Sequence, residues 1–208
     1  SSVYLFTEAI IKYGSEEMKK DLLPKLVSGD VIGTLAVTED LYAPSKDNIK
    51  LSCESGKING KKIAVPDASI ATHALVVAKS EKGICLQIAD LSHEGVSIEH
   101  QENIDESRGH FSITFDGVDT QAIGDDISGW DIYESIINQA AVLFAYEQIG
   151  GSQASLDMAV NYAKERYAFG RPIGSYQAIK HKLADMYIAL TLAKSNCYYA
   201  AWALSTDS

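Results

Sequence analysis

The period of apolar and polar positions changes twice along the chain. Residues 3–29 follow a helical pattern, with Gly14 closing a first helix and Ser15 capping a second. The first turn of that second helix holds Glu16 and Glu17, acids that suit the positive end of a helix dipole. Pro24 and Gly29 are expected to end it. From Val31 to about Asp126 the texture becomes a series of short β-rich runs: VIGTLAV, GKINGKKIAV, HALVVAK, ICLQIAD, VSIEH and FSITF. Gly, Asn, Asp and Ser separate them, which predicts a compact antiparallel β domain.

After SGWD the pattern is helical again through about Tyr167, with Ala140, Ala141, Ala145, Gly150, Gly151 and Ala154 interrupting larger apolar residues. A helical glycine costs about 1 kcal/mol relative to alanine, so the Gly150–Gly151 pair is expected where a neighbouring helix or a ligand presses closely. Beyond the break at FGRPIG a last helix carries Ile179, Leu183, Met186, Leu190, Ala193, Cys197, Ala200 and Leu204 at spacings of four and three. That stripe predicts a bundle core or a subunit contact. The first helix begins without a leader and the stripe stops near the last residue, so the expectation is an internal piece with missing flanks or obligatory partners.

Composition narrows the function classes. Eighteen basic residues against 28 acidic ones give a net charge of −10, with no basic tract, which disfavours a nucleic-acid partner. Neither end carries an apolar run long enough for a signal peptide or a membrane span, and a cytoplasmic setting, or the mitochondrial matrix in a eukaryote, is the default. Cys53, Cys85 and Cys197 are far apart and are expected to be buried thiols. His93, His100 and His110 lack ligand spacing and are expected as solvated loop residues, so no metal site is predicted. No GxGxxG, Walker, GxSxG or HExxH motif occurs.

The informative string is ERYAFGRPIGSYQAIKHKLADM, residues 165–186. It resembles the signature with which acyl-CoA dehydrogenases enter a long helix of their C-terminal bundle. YGSEEMKKDLLPKLVSGD, GTLAVTED, KINGKKIAV, EGVSI and FDGV agree in order and spacing, so the resemblance covers nearly the whole chain. It implies an α+β fold in three segments. Residues 1–30 would close an N-terminal helical domain, 31–128 would form an antiparallel β-barrel-like middle domain, and 129–208 would supply the first long helices of an incomplete bundle.

The family's chemistry is FAD-dependent α,β-desaturation of an acyl-CoA thioester, in which a glutamate takes the α-proton and the flavin takes the β-hydride. By resemblance, Val37 and Thr38 stand at a strand end near the flavin pyrimidine edge. Arg166, Phe169, Gly170 and Gln177 match residues that reach the adenosine diphosphate half of FAD held mainly by a neighbouring subunit, where a forked guanidinium suits pyrophosphate. Other elements depart from the family. Asp40–Ser45 replaces a glycine-rich turn, and Ala64, Val65, Pro66, Asp67 and Ala68 replace a run that supplies an aromatic and a hydroxyl to the flavin ring. Asn138, Ala140 and Ala141 stand where some members place a catalytic glutamate and an Asp–Arg pair, so no catalytic residue is expected in this chain.

Three readings follow from the resemblance: an active acyl-CoA dehydrogenase, a flavin-poor subunit that completes a partner's site in a homo- or hetero-oligomer, and a structural relative without activity. Flavin monooxygenase relatives share the fold.

Overall fold

The computed structural model describes residues 2–105, 107–125 and 128–206. They form two compact units, 1–137 and 138–208.

The first unit opens with α1 (Ser2–Tyr13) and α2 (Glu16–Ser28). Ser15 caps α2 as its sequence position implies, its hydroxyl accepting from the Met18 N–H at 3.1 Å. Gly29 closes α2 in the left-handed conformation, φ 84°. Pro24 does not end the helix but lies inside it. A proline removes one intrahelical bond, and here the helix continues across that gap to Ser28. Phe6, Ala9 and Ile10 are fully buried from α1, which packs on the first strand.

Seven strands follow: β1 (Gly33–Ala36), β2 (Ser52–Glu54), β3 (Lys57–Pro66), β4 (His73–Lys79), β5 (Ile84–Asp90), β6 (Val96–Gln101) and β7 (His110–Ile123). β4 pairs with β5, β5 with β7, β7 with β3, β3 with β2 and β2 with β4, so the sheet closes on itself. Closure removes exposed edges, and β1 and β6 lie outside the ring on β4 and β7. Most pairings are antiparallel, as expected. β1 and β2, however, both meet β4 in parallel, because the chain passes through β2 and β3 before returning alongside β1 in the same direction. The interior is apolar, with Leu51, Ile58, Val65, Val76, Ile113 and Phe115 at its centre.

His100 lies on β6, edge-on to Phe111 at 5.4 Å between ring centroids, and His110 opens β7, so these two are strand residues rather than loop residues. His100 is nonetheless exposed to solvent, as expected, and His110 is half-buried. His93 lies in a loop as expected, its Nδ1 accepting from the Gly95 N–H at 3.0 Å. Cys53 and Cys85 are buried, as expected, whereas Cys197, on the groove side of the last helix, is only half-buried.

α3 (Gly129–Glu165) begins in the first unit and continues into the second. There it is followed by a hairpin of β8 (Tyr167–Ala168) and β9 (Arg171–Pro172), a 3₁₀ turn (Ile173–Ser175) and α4 (Gln177–Thr206). The close approach expected at Gly150 and Gly151 is absent among the described residues: a Cβ at either would meet open space. Gly174 makes that approach instead, where a Cβ would stand 2.9 Å from the Ala163 carbonyl oxygen. The stripe on α4 faces α3, with Leu190 buried and Met186, Ala193 and Cys197 bordering the groove beside Leu156. None of the helices is long and apolar enough to cross a membrane, among the described residues.

Candidate functional site

The residues singled out by sequence fall into two groups, one in each unit. Val37 and Thr38 directly follow β1 in the first. Val37 is buried and Thr38 is half-buried. The backbone of this stretch is held from β3: the Ile63 N–H donates to the Thr38 carbonyl at 2.7 Å, and Lys62 Nζ donates to the Val37 carbonyl at 3.0 Å. The N–H and hydroxyl of Thr38 have no hydrogen-bond partner among the described residues, so both donors are open to a ligand.

Sequence reasoning missed Lys62. It is fully buried and pairs with the nearly buried Glu39 at 2.7 Å. Glu39 also accepts from the backbone N–H groups of Lys50, at 2.8 Å, and Leu51, at 3.1 Å, closing the base of the loop that runs from Asp40. Burial pulls the Lys62 ammonium down to about 8, against the raising effect of Glu39. Alternation along β3 carried the signal, because Lys62 shares the inward parity of Ile58.

The segment that departs from the family at Ala64–Ala68 has its backbone spent internally. The Ala64 N–H donates to Gln101 Oε1 at 2.7 Å, the Asp67 N–H donates to the Gly109 carbonyl at 3.0 Å, and the Pro66 carbonyl accepts from the Thr34 hydroxyl at 2.7 Å. Pro66 has no N–H. Ala64 and Asp67 both hold positive φ, 52° and 57°, Ala64 in the irregular stretch between Lys62 and Val65 and Asp67 just past the end of β3. The turn at Asp40–Ser45 holds Leu41 and Tyr42 out in solvent, and Asn48 braces it by accepting from the Ser45 N–H at 2.8 Å and donating to the Ala43 carbonyl at 2.8 Å.

In the second unit Arg166, Phe169, Gly170 and Gln177 lie on one hairpin-to-helix segment. Ala168 pairs with Arg171 across a two-residue loop in which Phe169 and Gly170 both have positive φ, 53° and 79°. That is the geometry of a primed hairpin turn, natural for glycine and strained for phenylalanine. Phe169 is 96% exposed at its tip. The Ile173 N–H returns to the Arg166 carbonyl at 2.8 Å, and Tyr176 donates to the Ala168 carbonyl at 2.9 Å, which fixes the hairpin against the start of α4. Gln177 is the exposed first residue of α4. The Arg166 guanidinium is exposed and has no hydrogen bond or ion pair among the described residues. Arg166 directly follows the C-terminus of α3, its N–H donating to the Tyr162 carbonyl at 2.8 Å, and its guanidinium fork suits an anion such as a diphosphate.

Asn138 and Ala141 are exposed on α3 and Ala140 is fully buried, and none of the three has a side chain that takes up a proton at neutral pH. Among the described residues no cluster of His, Cys, Asp and Glu has the geometry to hold a metal ion.

The order of elements is a helix pair, a closed β unit and two long helices joined through a short hairpin. The family profile described as "Acyl-CoA dehydrogenase, C-terminal domain" matches residues 128–208. The chain is 31% identical over 212 residues to the mitochondrial short-chain specific acyl-CoA dehydrogenase of Homo sapiens, covering 95% of this chain and 51% of that protein. It is 31% identical over 208 residues to the mitochondrial isovaleryl-CoA dehydrogenase of Oryza sativa subsp. japonica, covering 92% and 50%. A crystal structure described as an FAD-dependent dehydrogenase superposes with a TM-score of 0.92 at 26% identity, covering 99% of this chain and 59% of that one. The chain belongs to the acyl-CoA dehydrogenase family. It spans about half the length of the curated relatives it matches.

Proposed function

We propose that this chain forms part of an FAD-dependent acyl-CoA dehydrogenase assembly that desaturates an acyl-CoA thioester between its α and β carbons. Family membership supports this reaction class, and one observation favours a role toward the cofactor: the unpaired, exposed guanidinium of Arg166 beside the Phe169–Gly170 turn, among the described residues. Arg166, with Phe169, Gly170 and Gln177, would hold the diphosphate half of FAD, and Thr38 would offer its two open donors to the ring edge. Bound FAD supplies the hydride acceptor of such a desaturation.

A second reading has its own support, in which the chain serves as the flavin-poor member of a homo- or hetero-oligomer and completes a partner's site. The backbone donors of Ala64 and Asp67, in the stretch that would face the ring, are already satisfied within the chain, and Pro66 has none to offer. The diphosphate contacts, by contrast, stay open. Under this reading the proton-abstracting carboxylate comes from outside residues 1–208.

Flavin-to-chain stoichiometry in the purified assembly tests both. The chain alone is expected to purify without yellow colour, and the assembly with less than one FAD per dehydrogenase-like chain. Stoichiometric FAD on the isolated chain removes the second reading, and absence of flavin from every preparation of the assembly removes both.

A further inference from the structure

Residues 37–39 are held by a set of contacts that converge on one side of the strand end. Lys62 Nζ reaches the Val37 carbonyl at 3.0 Å and Glu39 Oε1 at 2.7 Å, while the next residue of β3, Ile63, takes the Thr38 carbonyl at 2.7 Å. Glu39 in turn gathers the N–H groups of Lys50 and Leu51, across a loop of ten residues from Asp40 to Lys50's predecessor Ile49. Lys62 is fully buried and the Glu39 side chain is 8% exposed. The N–H and hydroxyl of Thr38, between these held groups, have no hydrogen-bond partner among the described residues.

A buried ion pair is a costly way to gain stability, since apolar residues of the same volume often do as well. What this pair achieves that an apolar pair could not is directional. One ammonium fixes a carbonyl and a carboxylate, and that carboxylate fixes two amides at the far end of the loop. We propose that Lys62 and Glu39 are positioning residues that preset Thr38 as a double donor and hold the 40–49 loop closed beside it. The proposal rests on the reading of Thr38 as a flavin-facing residue, and it assigns the geometry of that contact to a pair that does not touch the ligand. Preset donors spare a ligand the cost of ordering the strand end when it binds.

Lys62→Met and the double variant Lys62→Met/Glu39→Leu test it, with Thr38→Val as the comparator. Hydrogen exchange on the full chain is expected to show about tenfold or greater acceleration at the amides of Lys50, Leu51 and Ile63, with Val76 and Val77 in the sheet interior unchanged. The double variant separates the roles: its melting temperature is expected to stay near or above wild type while the loop amides remain fast. In the FAD-loaded assembly, Thr38→Val and both clamp variants are expected to weaken flavin retention by about tenfold and to shift the flavin absorption bands in the same sense. Unchanged exchange at Lys50 and Leu51 in both clamp variants overturns the proposal. So does a flavin defect confined to Thr38→Val. Loosened amides with no flavin effect in any of the three variants, Thr38→Val included, instead refute the flavin role of Thr38 and leave no ligand for the clamp to serve.

Discussion

The guanidinium carbon of Arg171 lies 4.0 Å above the ring of Tyr176, whose hydroxyl donates to the Ala168 carbonyl at 2.9 Å. One arginine of the hairpin is thus consumed by holding the hairpin to the start of α4. The other, Arg166, has no such task.

That division of labour predicts different outcomes for the two arginines. Arg166→Ala is expected to weaken FAD retention by the assembly by roughly ten- to a hundredfold, the worth of a charge-assisted hydrogen bond of about 1.5 to 3 kcal/mol. Apo-protein melting should hardly move, because the side chain is exposed and unpaired among the described residues. Arg171→Ala is expected to lower melting as well, by loosening the turn. Flavin titrations and apo melts of both variants make the comparison, and equal FAD affinity in Arg166→Ala and wild type would leave the hairpin as structure only.

Gly174 and Gly150 predict opposite signs for the same substitution. At Gly174 an added Cβ would stand 2.9 Å from the Ala163 carbonyl oxygen and 3.2 Å from its carbon, so backbone has to shift. Gly174→Ala is expected to destabilise by about 1–3 kcal/mol. At Gly150, in the interior of α3, nothing stands within 4 Å and alanine is the better helix former, so Gly150→Ala is expected to stabilise by up to about 1 kcal/mol. Chemical denaturation of the two variants decides it.

Lys62 gives stability a pH dependence of unusual sign. Its ammonium is pulled down to about 8 in the fold against 10.5 for an unburied lysine, so between those values the unfolded chain binds a proton that the native chain lacks. Stability from this group therefore rises with pH across that window, and the cost of burying the charge is present in full below it. The gain is on the order of 3 kcal/mol at most. Denaturation at pH 7.5 and pH 10 is expected to show a smaller loss, or a larger gain, for wild type than for Lys62→Met/Glu39→Leu, in which the other titrating groups are the same. Parallel pH profiles would show that Lys62 keeps an ordinary lysine affinity for its proton.

Where the sequence had a clear period the elements were legible. Ser15 and Gly29 marked the ends of α2, and near-continuous apolar runs bounded by polar turn residues placed β4 and β5 to the residue. β2 escaped because three residues carry too little pattern. FSITF proved to be one part of the fourteen-residue β7, which runs on through Gly117 at φ 63°, a position that reads as a turn in isolation. The diphosphate-side residues could be named because their string is contiguous. Lys62 and Glu39 are harder to name: the parity of β3 turns Lys62 inward, but a lysine reads as solvated and its partner lies 23 residues away. Only the closed sheet brings the two together.

The outer face of α4 predicts association. Ile188, Leu192, Tyr199 and Trp202 recur at spacings of four, seven and three, which puts them on one side of the helix, and they are 56%, 61%, 68% and 58% exposed. Leu190, by contrast, is buried, and Cys197 borders the groove beside α3, so apolar residues occupy more of the circumference than one neighbour covers. A patch of this kind on a water-facing helix marks a surface that another apolar surface covers, or one that self-associates. The chain is expected to scatter light as dimers or larger species at micromolar concentration and to do so more strongly as salt rises, because burial rather than charge drives the contact. Leu192→Glu/Trp202→Glu is expected to shift it to monomer without loss of helix signal, since both side chains already face water and neither fills a core. A wild-type monomer that persists at high concentration and high salt would show that this stripe is tolerated in water and that the assembly is built from another face.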